Sequence, residues 1–141
     1  MMTIKSATLL ALLALIIPGA AWLRAAERMR TGLWEITSLH NGKPAGVVAN
    51  TCYTPAMVEF ANGSANTIRE STERNAAKRG CTIKDFKVDG NHISMVRVCG
   101  AKSAEISSTY SGDTFETIDT STGGGAATVM HMKGRRIGDC K

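Results

Sequence analysis

The chain contains no G-x-S-x-G elbow, no H-E-x-x-H and no phosphate-binding loop, so no common local catalytic signature marks it. Its glycine cluster, Ser121 to Gly125, lacks the following lysine and helix that a phosphate loop needs. That stretch reads as a flexible connection. No two cysteines stand as C-x-x-C, and no cysteine–histidine group has zinc-site spacing, which excludes zinc modules and thioredoxin-type redox motifs. Aromatic residues are few (two Trp, two Tyr, three Phe) and none alternates with basic residues. The pattern used to stack single-stranded bases is therefore missing, and nucleic acid is not an expected partner. No apolar run is long enough to span a bilayer, which takes about 20 residues.

What is present begins with an export signal. Lys5 precedes the stretch Ala7 to Ile17, apolar except for Thr8; Pro18-Gly19 breaks it, and Gly19 to Ala21 are small. This order matches a secretory signal peptide over residues 1–21, cleaved near Ala21, with 22–30 as a linker and 31–141 as one domain. No cysteine follows the apolar run, so a lipoprotein is not expected. Cleavage removes one basic residue, Lys5, from 17, leaving 16 against 12 acidic residues and a net charge of +4. That charge is ordinary for solubility. Four cysteines remain: Cys52, Cys81, Cys99 and Cys140. Beside an export signal, an even count implies two disulfides formed in an oxidising compartment.

Strand signals dominate the rest. "GLWEITSLHNG" alternates Trp34 and Ile36 with Glu35 and Thr37 before an Asn41-Gly42 turn, and "AGVVANTCY" supplies a second strand. Thr54-Pro55 reads as a helix start, and "NTIRESTERNAAKRG" as a polar helix ending near Gly80. Two hairpins follow, turning at Asp89-Gly90-Asn91 and Ser111-Gly112-Asp113, then a last strand from Ala127. The expected fold is mainly β (α+β): an antiparallel meander of about seven strands, curled into a half-barrel around a short helical insertion.

Three disulfide connectivities are open, and Cys81–Cys99 with Cys52–Cys140 is the favoured one. The first pair carries a condition. Registers that set Phe86 and Val88 against Ile93, Met95 or Asn91 turn Cys81 and Cys99 to opposite faces, because side chains alternate with period two. Pairing them requires a bulge or freed strand ends at Gly80 and Gly100.

Together "GLWE", "CYTP", the cysteine-bounded hairpin "CTIKDFKVDGNHISMVRVC", "YSGDTFE" and the closing "GRRIGDC" carry a resemblance. The chain resembles a family of small secreted bacterial proteins, domain-of-unknown-function family 3617, over nearly all of residues 31–140. The resemblance implies export to the periplasm, a β-rich domain and paired cysteines. It implies no activity and no catalytic residue.

Several residues carry candidate chemistry. Met130, His131 and Met132, with Met95, have ligand types that suit copper, but alternation puts His131 on the face opposite the two methionines. Methionine also fills irregular gaps in cores, which is the simpler role for these. Lys133, Arg135 and Arg136 form the densest positive stretch, suited to a carboxylate or phosphate. Positive side chains equally protect a solvated edge strand. His40, His92 and His131 are scattered, Asp113 suits a turn, and Glu35 suits an outward strand position. Trp34, Ile36, Phe86, Ile93, Met95, Tyr110 and Phe115 are expected to line the curved sheet and face a ligand. The expected function is a secreted or periplasmic, non-catalytic binding module for a small apolar ligand or envelope partner. It has no cofactor and no transmembrane segment once the signal is removed. Copper handling through Met and His, and a purely structural envelope role, are the alternatives.

Overall fold

A computed structural model describes residues 27–46 and 49–141; the signal peptide and its cleavage point, and the two valines of the second strand, fall outside them. In chain order the elements are β1 (Gly32–His40), β2 (Lys43–Pro44), β3 (Ala49–Tyr53), α1 (Glu59–Asn62), α2 (Ala65–Ala77), β4 (Thr82–Asp89), β5 (His92–Cys99), β6 (Lys102–Tyr110), β7 (Thr114–Thr122) and β8 (Thr128–Gly138). The eight strands form one antiparallel, open sheet in the order β2-β1-β8-β7-β6-β5-β4, with β3 also pairing β1. From β5 to β8 every strand neighbours its predecessor, and β8 then returns to pair with β1. The sheet is a meander that does not close.

Eight strands are described where the pattern suggests about seven, because a short β2 precedes the stretch read as the second strand. Asn41 and Gly42 both take positive φ (49° and 77°), the geometry of a tight two-residue hairpin between His40 and Lys43. Just after Pro44 the Ala45 amide donates to the Ser38 carbonyl at 2.9 Å, and β3 pairs with β1 from Ala49 to Tyr53. The helix start also differs from Thr54-Pro55. Residues 54–58 form turns in which the Thr54 carbonyl accepts from the Met57 and Val58 amides, and α1 begins only at Glu59. The longer helix, α2, is capped by Ser64, whose side chain accepts from the Thr67 amide.

The first long hairpin shows how the cysteines meet. Its loop is Gly90-Asn91, with Asp89 opposite His92 and Val88 opposite Ile93. That register alone would misalign the cysteines. Between Lys84 and Lys87 it shifts, so that Asp85 and Phe86 together oppose one residue, with Asp85 at φ 50°. Beyond the bulge Thr82 faces Val98, and Cys81 bonds to Cys99. The other disulfide joins Cys52 to Cys140. Leu33 of β1 pairs with both Cys52 and Gly138, so this bond carries the chain end across β1 to β3.

The domain also takes in the end of the stretch read as a linker. Met29 is fully buried and forms a bridge with Gly112. Asn62 clamps its backbone twice, accepting from the Met29 amide at 2.9 Å and donating to its carbonyl at 2.7 Å. Arg28 donates to the carbonyls of Gly90 and Ala61. The core gathers Met29, Trp34, Val58, Ala61, Ile68, Ile93 and Tyr110, so β1, β5, β6 and both helices share one cluster. Residues from strands this far apart in the sheet meet because it curves around the helical insert, as a half-barrel.

Candidate functional site

Directly paired residues of an antiparallel sheet share a face, so the registers assign the inner surface row by row. One row runs Ile36–Gly134–Phe115–Tyr110, and the next runs Ser38–Met132–Thr117–Ser108–Ile93–Val88. A third runs His40–Met130–Asp119–Ile106–Met95, and a fourth runs Thr128–Ser121–Ala104–Arg97–Ile83. All seven residues expected to line the sheet belong to this side. They are not equally available. Trp34, Ile93 and Tyr110 are buried, and Phe86 and Phe115 are partly buried against them, so this end of the face is filled; Met95 packs at the edge of the same cluster. Gly134 contributes to that packing, since a Cβ there would lie 2.0 Å from the Phe115 ring.

The third and fourth rows have less cover. Between them and the C-terminal turns of α2 lies a cavity of about 180 Å³, lined by Ile83, Met95, Arg97 and Ile106 below and by Thr72, Asn75, Ala76 and Arg79 above. Further along the third row Met130 is 40% exposed. Arg97 spans from β5 to Asp119 on β7, Nη2 to Oδ2 3.1 Å, passing over β6 where Ala104 is only a methyl group. Ser121 donates a second hydrogen bond to Asp119 at 2.8 Å. The pair is half-buried rather than sealed, with side-chain exposures of 34% and 23%.

The proposed metal ligands do not converge. Met130 and Met132 share the inner face, but Met95 lies three strands from Met130, about 14 Å across the sheet at the usual strand spacing. His131 is on the outer face, hydrogen-bonded to Glu116. Among the described residues no three His, Cys, Asp or Glu side chains cluster to hold a metal ion.

The basic stretch is likewise divided. Lys133 and Arg135 point outward, Lys133 lying 3.5 Å from Glu116 and Arg135 3.0 Å from Glu35. Arg136 is on the inner face, bonded to Asp139 and donating to the Thr31 carbonyl at 2.7 Å. Each positive charge in the stretch already has a carboxylate. The open depression of about 400 Å³ between Glu35, Glu116, Lys133 and Arg135 is thus internally neutralised. Asp113 pairs with Arg30 at 2.9 Å. His92 hydrogen-bonds the Thr109 hydroxyl on β6, His40 lies exposed at the end of β1, and His131 is on β8, so the three histidines do not meet.

Glu116 has a perturbed acidity. The hydrogen bond from His131 holds its carboxyl below the usual value of 4.5, outweighing the desolvation that opposes it, and the Lys133 charge adds a lesser lowering. A depressed carboxylate stabilises the fold above its ordinary pKa and loses that contribution as pH falls through the lowered value. In a carbon-detected NMR titration the Glu116 carboxyl should therefore show a midpoint below 4.5, and His131→Ala should move it upward. An unmoved midpoint would mean that Lys133, not His131, sets it.

Arg97–Asp119 and Arg79 were not singled out from the sequence. Arg97 and Asp119 alternate with apolar neighbours like any outward polar residue, and only the pairing of β5 with β6 and β6 with β7 brings them to one inner row pair.

A family model described as "Protein of unknown function (DUF3617)" matches residues 29–140. No curated protein and no solved structure matches the chain. The matched segment begins at Met29, the residue that opens the core. The two disulfides fit an oxidising compartment, and among the described residues no helix is long and apolar enough to cross a membrane.

Proposed function

We propose, for a chain that belongs to the DUF3617 family of proteins of unknown function, that it is an exported, non-catalytic binding module of the periplasm. Its ligand is small and largely apolar, held where the inner face of the sheet lies open beside α2. One observation carries this reading: Ile83, Met95 and Ile106 floor a cavity that the helical insert roofs but does not fill. Apolar side chains in a monomer's core are ordinarily packed to near-crystalline density, so an unfilled apolar floor is the expected form of a binding site. The non-catalytic reading is supported by the separation of His40, His92 and His131 on three different strands, β1, β5 and β8. Export is supported by the two disulfides and the signal-like leader.

The test uses N-phenyl-1-naphthylamine, a neutral apolar dye that brightens out of water. The purified protein should take up the dye saturably, and Ile106→Arg should weaken binding about tenfold or more by filling the cavity with a charge. Absence of saturable uptake would overturn the reading and favour a structural envelope role.

A further inference from the structure

Resting on that reading, we infer that the ligand is an anionic amphiphile: a single acyl chain ending in a carboxylate or phosphate, its head held by Arg79 and Arg97. The floor of the cavity is apolar, but its rim is not. Arg97 uses one of its five N–H donors on Asp119, and among the described residues it makes no other hydrogen bond. Arg79 lines the same cavity and forms no ion pair among the described residues. Two guanidinium groups against one carboxylate leave a single positive charge at the mouth, which one anionic head group neutralises.

Charge placement separates this mouth from the other basic surface. Lys133, Arg135 and Arg136 each face a carboxylate of the chain itself, whereas Arg79 has none. Asp119 does a second job here: held by Arg97 and Ser121, it fixes the Arg97 side chain across Ala104, so its unused donors are pre-positioned. The cavity, at about 180 Å³, is smaller than the usual ligand pocket of about 300–1,000 Å³. A chain seated with its head at the arginines therefore lies over Met95 and Ile106 and leaves its far end outside the cavity.

Displacement of bound N-phenyl-1-naphthylamine by matched twelve-carbon ligands decides the point. Dodecanoate and dodecyl phosphate should both displace the dye more tightly than dodecanol, and Arg79→Gln should weaken the two anions about fivefold more than it weakens dodecanol or the dye. Arg79 is exposed at the end of α2, so its replacement leaves the core intact. If dodecanoate leads and dodecyl phosphate does not, the head group is a carboxylate; the reverse order makes it a phosphate. Equal displacement by all three, insensitive to Arg79→Gln, would overturn the inference and leave the apolar binding module standing. No dye uptake at all would remove both.

Discussion

Serine at both Cys52 and Cys140 is expected to destabilise the protein by about 4–5 kcal/mol, more than serine at both Cys81 and Cys99. The two bonds differ in the loop they close: the first joins residues 88 apart, the second residues 18 apart. Chain entropy in the unfolded state makes the longer closure worth about 4.6 kcal/mol and the shorter about 3. Against a total of about 5–15 kcal/mol for a domain, either loss is large. The longer bond also has a local duty. Among the described residues β3 pairs with β1 alone, at the sheet edge, and Cys140 reaches it from beyond β8. Urea unfolding of the two double variants gives the ranking, and hydrogen exchange at Ala49–Tyr53 should rise selectively in the first. A ranking in the opposite order would show that native-state packing around buried Cys81, rather than chain entropy, dominates.

Trp34→Ala should be the most damaging single change to the core, at about 3–5 kcal/mol. Trp34 is fully buried. Its ring lies 5.7 Å from Phe115 and meets Tyr53 edge-on at 6.2 Å, which ties β7 and β3 to β1. Its indole N–H donates to the Arg30 carbonyl at 3.0 Å, fixing the segment that leads into β1. Alanine would leave a cavity bordered by the Tyr53 and Phe115 rings and one unpaired carbonyl. Ile36→Ala, two residues along the same face but only half-buried, is the comparison and should cost clearly less. The urea midpoint should fall with an unchanged slope, since the surface exposed on unfolding barely changes. A Trp34 effect no larger than that of Ile36 would mean the insert can close over the gap.

Much of this architecture was legible in the order of residues. Asn41-Gly42 and the glycine–asparagine pair at 90–91 demand particular turns, and Trp34, Ile36, Ile93 and Met95 alternate with polar partners, so strands and hairpins follow from neighbours two to four residues apart. Even the cysteine problem was visible as a conflict between period and pairing. Its resolution was not, because a bulge at Asp85 depends on which of two compensating registers packs Val88 and Phe86 against the insert. The tie between Asn62 and Met29, 33 residues apart, left no local pattern either.

The candidate site divides the same way. By itself the sequence determined the strand and turn pattern, the side of the sheet on which each apolar residue stands, and the separation of His131 from its neighbouring methionines, because backbone geometry and alternation are local. Only the tertiary structure decided which of those apolar residues are consumed by packing and which remain open. That outcome depends on where α1 and α2 land across the sheet: they fill the space over Trp34, Ile93 and Tyr110 and stop short over Met95 and Ile106. Burial is a property of contacts between distant segments, so residues identical in pattern became core at one end of the face and cavity wall at the other.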